Sequence, residues 1–130
     1  MYQQMEYLNE NIAIREKNHL RLEAEVKNNP DIIDMNHSHI SLLSSFAFPV
    51  VCKNSTLRNH YLKQFSGAGI EVRPMIAGNM QNQPFYSKYI DKIYELPTID
   101  QLYINSFYCG NYPDLTESDL QVISSSLTKY

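Results

Sequence analysis

Ser44-Ser45-Phe46-Ala47-Phe48-Pro49-Val50-Val51-Cys52 runs, after one lysine, into Asn54-Ser55-Thr56-Leu57-Arg58-Asn59-His60-Tyr61-Leu62-Lys63-Gln64-Phe65-Ser66-Gly67-Ala68-Gly69. Then comes Ile70-Glu71-Val72-Arg73-Pro74-Met75-Ile76. The first run is apolar and β-favouring, and reads as a buried strand, with Pro49 marking an edge or bulge. In the second, Asn54 or Ser55 caps a helix whose inward stripe is Leu57, Tyr61, Leu62 and Phe65, and Gly67 and Gly69 stop it. Ile70 to Ile76 is a second strand, adjacent to the first if the crossover is right-handed.

Upstream, Met1 to Asn28 reads as one long helix. Met5, Leu8, Ile12, Leu20 and Ala24 recur at three- and four-residue steps among Glu and Lys. No Ser, Thr, Asp or Asn precedes its first residue, so it starts uncapped. That fits a chain cut from something longer and, equally, a frayed native terminus. Asn28-Asn29-Pro30-Asp31 ends it, because proline cannot continue a helix, and Ile32-Ile33 is a short extended piece. Downstream, Ala77 to Gln83 is a polar loop, Pro84 to Ile90 a short helix and Ile99 to Ile104 another turn or two of helix. Phe107-Tyr108-Cys109 is a strand, and Gly110-Asn111-Tyr112-Pro113 a turn. Thr116 can cap the last helix, with Asp119 at the third position of a weakened capping box and Leu120, Ile123 and Leu127 on its apolar side. The pattern predicts an α+β fold, a small mostly antiparallel sheet covered by helices.

The 130 residues suit one domain with a real core; 43% are hydrophobic and 19% charged, which is globular. A net charge of −3 gives no positive field for a phosphate backbone, so nucleic acid is a poor first guess and no nucleic-acid partner is expected. The longest apolar stretch, Phe46 to Cys52, is far short of the ~20 residues of a membrane span. Two cysteines, Cys52 and Cys109, make neither a disulfide framework nor a zinc knuckle. These bounds point to a soluble, cytoplasmic chain. Ten tyrosines without a tryptophan predict hydroxyls at the rim of the core or in an interface.

Residues that could carry chemistry are few. His37-Ser38-His39 would put two imidazoles on one face of a strand, but no Cys or Glu motif nearby supplies further ligands. A solvated loop is the expectation, and no metal. His60 and His19 read as solvated too. Cys52 reads as a small core residue; Cys109, before a Gly-Asn turn, could line a site but has no adjacent histidine to activate it. No Gly-rich phosphate cradle, nucleophile elbow or His-Glu-x-x-His helix is present. Arg73 stands at a strand end, where its planar fork suits carboxylate or phosphate. Pairing with Glu71 or a helix carboxyl end is the competing reading, and physics alone favours it slightly.

In order, Gly69-Ile70-Glu71-Val72-Arg73-Pro74, Ala77-Gly78-Asn79, Gln83-Pro84, Leu96-Pro97 and Phe107 through Thr116 form a series that resembles the C-terminal small domain of the DegT/DnrJ/StrS family of sugar aminotransferases and dehydratases. The first helix, with Gln3, Leu8 and Arg15, resembles the helix leading into that domain. Each motif is weak alone, and their order over essentially the whole chain carries the likeness. It implies residues 1–30 as a linking helix and 31–130 as the small domain of a fold-type I aminotransferase-like enzyme. It further implies pyridoxal or pyridoxamine 5′-phosphate, a nucleotide-linked 4-keto-6-deoxysugar as substrate, and a homodimer in deoxysugar and lipopolysaccharide biosynthesis. Ala77-Gly78-Asn79 and Gly110-Asn111-Tyr112-Pro113 depart from the usual aminotransferase pattern and look more like the 3-dehydratase branch, which removes the C3 hydroxyl. A perosamine-synthase-like aminotransferase is the alternative, and a non-catalytic ligand-binding or dimerisation module a third reading. The family's large domain, with the cofactor-binding Asp, the Lys or His base and the phosphate cup, has no counterpart in this sequence. A truncated chain is therefore the expectation, inert and without cofactor by itself, and with no catalytic residue of its own. By the same resemblance Arg73, Asn79, Asn111 and Tyr112 line the sugar-nucleotide cleft.

Overall fold

The computed structural model describes residues 5–76 and 78–129. Among these residues four α-helices flank a three-stranded antiparallel sheet: α1 Leu8–Lys27, β1 Ala47–Val51, α2 Ser55–Gly67, β2 Val72–Pro74, α3 Pro97–Asn105, β3 Ser106–Gly110 and α4 Glu117–Ser126. The α+β class expected from the sequence is the one observed.

The strand–helix–strand reading needs one correction. β1 and β2 are not neighbours; β3 lies between them and pairs antiparallel with both, in the order β1-β3-β2. Phe48 and Val72 both face Cys109, and Pro49 and Arg73 both face Tyr108. The inward residues of the inserted strand, Phe107 and Cys109, are out of solvent, as are Phe48 and Val50 of its neighbour β1. Pro49 accordingly sits on an edge strand. β2 is shorter than the apolar run suggested, because Ile70 is still occupied in closing α2. The Ile70 N–H reaches the Phe65 carbonyl and the Gly69 N–H that of Ser66, each at 3.0 Å, a Schellman end. Gly69 takes the left-handed conformation this requires, φ +76°.

Other ends follow local rules. Asn54 accepts the Leu57 N–H at the start of α2, and Thr116 with Asp119 makes the full capping box of α4. α1 begins at Leu8, not Met1; Met5 to Tyr7 form a turn, Tyr7 gives no side-chain cap, and residues 1–4 of the expected helix lie outside the described residues. The stripe Met5, Leu8, Leu20 proves to be exposed, while α1 buries Asn18, His19, Leu22, Glu23 and Val26. The helix turns a mixed polar and apolar face inward because its polar groups find partners there, Ser45 for His19 and both His37 and Lys27 for Glu23. Pro84 to Ile90 forms a 3-10 turn, Tyr86–Lys88, rather than an α-helix. Ile32 makes an isolated antiparallel bridge to Cys52.

The core joins Leu22 and Val26 of α1, Phe48 and Val50 of β1, Tyr61 and Phe65 of α2, Phe107 and Cys109 of β3, and Ile123 and Leu127 at the carboxyl end. Phe65 and Phe107 meet edge to face, centroids 5.2 Å apart. Buried Asn29 ties the chain ends to the core, donating to the Tyr61 hydroxyl at 2.7 Å and the Leu127 carbonyl at 2.6 Å.

Candidate functional site

The outward row of the sheet carries Arg73 beside Tyr108. They share an open cleft of about 630 Å³ with Tyr112, Glu71, Leu115 and Asp119, between the β2 edge and α4. Arg73 is held by Glu71, Nη2 to Oε1 2.5 Å, and both side chains are largely exposed. This is the ion pair that the sequence allowed as the competing reading. Its exposure makes it weak and free to exchange partners. With Glu71 and Asp119 offsetting one guanidinium, and two phenols alongside, the cleft suits a hydroxyl-rich ligand with a single anionic point.

Tyr112 owes its place to Gly110. A Cβ on Gly110 would stand 2.6 Å from Tyr112 Cε1, so the ring folds back over the strand end only because that residue is glycine. Asn111, between them, is fully buried; its Nδ2 donates to the carbonyls of Arg15 and Ser45, each at 3.0 Å. Its Oδ1 has no partner among the described residues. Asn111 thus clamps α1, the approach to β1 and the end of β3, and its amide is turned away from the cleft that Arg73 and Tyr112 share.

Asn79 lies elsewhere. It is buried, donates to Asp100 Oδ1 at 3.0 Å and accepts the Gln81 N–H at 3.1 Å. It borders a separate groove with Gln81, Tyr94, Leu96 and Asp100. Gly78 ahead of it is left-handed, φ +53°, and a Cβ there would meet Tyr103 Cδ2 at 2.5 Å. Ala77 of the same motif lies outside the described residues. The structure therefore brings together two of the four expected site residues, Arg73 and Tyr112, and sets Asn79 and Asn111 apart from them.

A second cluster was not foreseen. His19 is not solvated: it is buried against the Phe48 ring, with Nδ1 2.8 Å from Ser45 Oγ. His37 lies on a loop, not a strand, and its Nε2 meets Glu23 Oε1 at 2.5 Å, while Lys27 Nζ holds Glu23 Oε2 at 2.9 Å. One ligating atom each from His19, Glu23 and His37 lies within 4.8 Å of the others. Burial pushes the His19 imidazole below its ordinary value, the carboxylate of Glu23 opposing and His37 adding to the shift. Burial would raise Glu23, but hydrogen bonds from Lys27 and His37 prevail and hold it below the usual carboxylate range. The available signal was His19 and Glu23 four residues apart on one helix, hence on one face. The missing partner, His37, is far along the chain.

Both cysteines are core residues, 0% and 1% exposed, and burial pushes each thiol up to about 12. Cys109 is closed off from solvent beneath the sheet. The described residues do not fit a pyridoxal phosphate by themselves. All seven lysines are exposed, so none has the desolvated pocket that a Schiff-base amine needs.

A model of the DegT/DnrJ/EryC1/StrS aminotransferase family matches residues 1–128, and the chain belongs to that family. Among curated proteins, the lipopolysaccharide biosynthesis protein RfbH of Salmonella typhimurium is 29% identical over 90 residues, covering 67% of this chain and 21% of RfbH. The E. coli GDP-4-keto-6-deoxy-D-mannose-3-dehydratase with bound hydrated PLP superposes with a TM-score of 0.82 at 22% identity, over 97% of this chain and 33% of that one. Helicobacter pylori PseC, an aminotransferase of pseudoaminic acid biosynthesis, gives 0.77 at 17% identity, over 95% of this chain and 33% of its own. This chain thus spans about a third or less of the length of these relatives. Dehydratase and aminotransferase share its fold, and no described helix is long and apolar enough to cross a membrane.

Proposed function

We propose that this chain is the C-terminal small domain, residues 31–130 on a linking helix 1–30, of a cytoplasmic homodimeric enzyme. That enzyme processes a nucleotide-linked 4-keto-6-deoxysugar in deoxysugar and polysaccharide biosynthesis. The observation that carries the reading is the family match over residues 1–128 together with the Arg73–Tyr112 cleft on the same chain. Within the family we favour the 3-dehydratase branch over a perosamine-synthase-like aminotransferase, on the Gly110-Asn111-Tyr112-Pro113 turn. A family enzyme supplies electron-sink chemistry through pyridoxal or pyridoxamine phosphate; the residues holding it belong to the rest of the longer protein. The small domain's own part is to wall the substrate cleft.

Arg73 leaves Glu71 to meet the substrate's anionic or hydroxyl groups, and Tyr112 lends a phenol to the sugar. Asn111 acts by holding the turn that presents Tyr112, and Asn79 by fixing the loop after β2 through Asp100. Support for a larger enzyme also comes from Tyr89 and Ile93, large apolar side chains that are mostly exposed among the described residues.

The test is the protein expressed from its complete natural gene, supplied with glutamate, pyridoxal phosphate and a nucleotide-linked 4-keto-6-deoxyhexose. A product lacking the C3 oxygen supports the dehydratase; a 4-amino sugar replaces it with the aminotransferase. No conversion, with a native mass of only this chain, leaves the non-catalytic module. Arg73→Ala in that enzyme should lower kcat/KM about tenfold or more, while its melting temperature stays put. Unchanged kinetics would remove Arg73 from the site.

A further inference from the structure

The His19, Glu23 and His37 cluster lies outside the Arg73 cleft and has no part in walling it. We infer that it is a binding site for a divalent transition cation of the zinc type, with three protein ligands and one position open to solvent. Two imidazoles and one carboxylate are a known zinc donor set, and three ligands rather than four leave a place for water or a small ligand.

Geometry and surroundings support this. The three ligating atoms fall within 4.8 Å of one another. Donors around a tetrahedral zinc stand about 3.3 Å apart for bonds of about 2.0–2.1 Å. Reaching that spacing needs only that the His37 loop shift outward from Glu23 Oε1 while the long Glu23 side chain turns toward His19. The loop movement is open, because His37 is on irregular chain whose backbone is tied locally, its carbonyl to the Ile40 N–H at 2.8 Å. The ligands also have outer partners of the sort that orient metal-binding rings. Ser45 Oγ lies against His19 Nδ1, and Lys27 takes the second oxygen of Glu23. The cluster opens on a cavity of about 510 Å³ whose wall is mainly apolar, including Phe46, Pro49, Met75 and Ile76. Asp34 and His39 line the same cavity. A plain ion pair between His37 and Glu23 accounts for two of these residues. It does not account for burying a second imidazole beside them, ring centroids 6.0 Å apart.

Equilibrium dialysis of the 130-residue chain against zinc chloride in a non-chelating buffer tests this, with Co²⁺ as a spectroscopic substitute. One zinc per chain is expected, with a four-coordinate ligand-field spectrum for cobalt. Glu23→Gln and His37→Ala should each weaken binding about tenfold or more, and His60→Ala on α2 should leave it intact. Absence of binding overturns the site, and so does binding that survives both substitutions or falls with His60→Ala. Should either variant fail to fold, the wild-type chain still decides. Zinc must raise its melting temperature and move the imidazole resonances of His19 and His37 together. Zinc that leaves those resonances in place refutes the assignment.

Discussion

Cys52 and Cys109 show how little a residue's identity says before its surroundings are known. A cysteine before a Gly-Asn turn could line a site on paper; buried under a sheet with its thiol pushed up to about 12, it is a small core side chain. Neither thiol should react with an aromatic disulfide reagent at pH 8 while the chain is folded, and both should react at once in denaturant. Fast labelling of either in the native state would contradict the core assignment. Asn111 is the opposite case, a polar residue without an outward role. Asn111→Ala strips the carbonyls of Arg15 and Ser45 of their shared donor, and should cost about 1–3 kcal/mol in a urea melt. A variant of ordinary stability would mean that the clamp is dispensable and that Asn111 is kept for something else. Arg73, exposed and paired with Glu71 at the surface, carries the reverse expectation, a functional loss without a structural one.

The helices owe their ends to a few neighbouring side chains, and α4 is the clearest. The Thr116 hydroxyl, and secondarily its backbone N–H, hydrogen-bond Asp119 and hold that carboxyl below its ordinary value of 3.8. A carboxyl whose folded value is depressed binds its proton more weakly in the folded state, so the contribution is full at neutral pH and is lost as pH falls through and below 3.8. Asp119→Asn should therefore melt earlier than the natural chain at pH 7, and the gap should close in acid. A gap that stays constant with pH would place the effect in packing, not in the carboxylate. α1 obeys a different logic. It has no side-chain cap and its most regular apolar stripe lies outward, so its stability comes from contacts made by His19, Leu22, Glu23 and Val26.

Across the chain the two surfaces are unequal. One side of the sheet closes over the core, whereas the stretch from Met80 to Ile104 leaves Tyr89 83% and Ile93 75% exposed. Side chains that lose so little contact with water add little to folding, so Tyr89→Ser with Ile93→Lys should shift stability by no more than about 0.5 kcal/mol. The same pair of changes should reduce self-association in sedimentation, because an apolar patch of this kind is where chains meet. A drop in melting temperature instead would show that the segment packs on its own domain. In the proposed full-length enzyme, the patch would face the rest of the protein.

Residues a few positions apart sufficed to announce the Asn54 and Thr116 caps, the stop at Gly69, the break at Pro30 and the apolar strands, while the α+β class and the family came from the order of such signals along the whole chain. Helix starts, turns and strand propensities are governed by interactions within about one turn of chain, and these leave a signature in adjacent letters. Insertion of β3 between β1 and β2, the inward face of α1, the burial of Asn111 and the separation of Asn79 from Arg73 left no such trace. Each depends on groups tens of residues apart finding one another, and on which polar atoms can be satisfied once they do. His37 reaching back to Glu23 beside His19 is the plainest example. The helix pair was readable as a four-residue spacing, but its third member arrives by a loop whose path is set by the packing of β1 against the core.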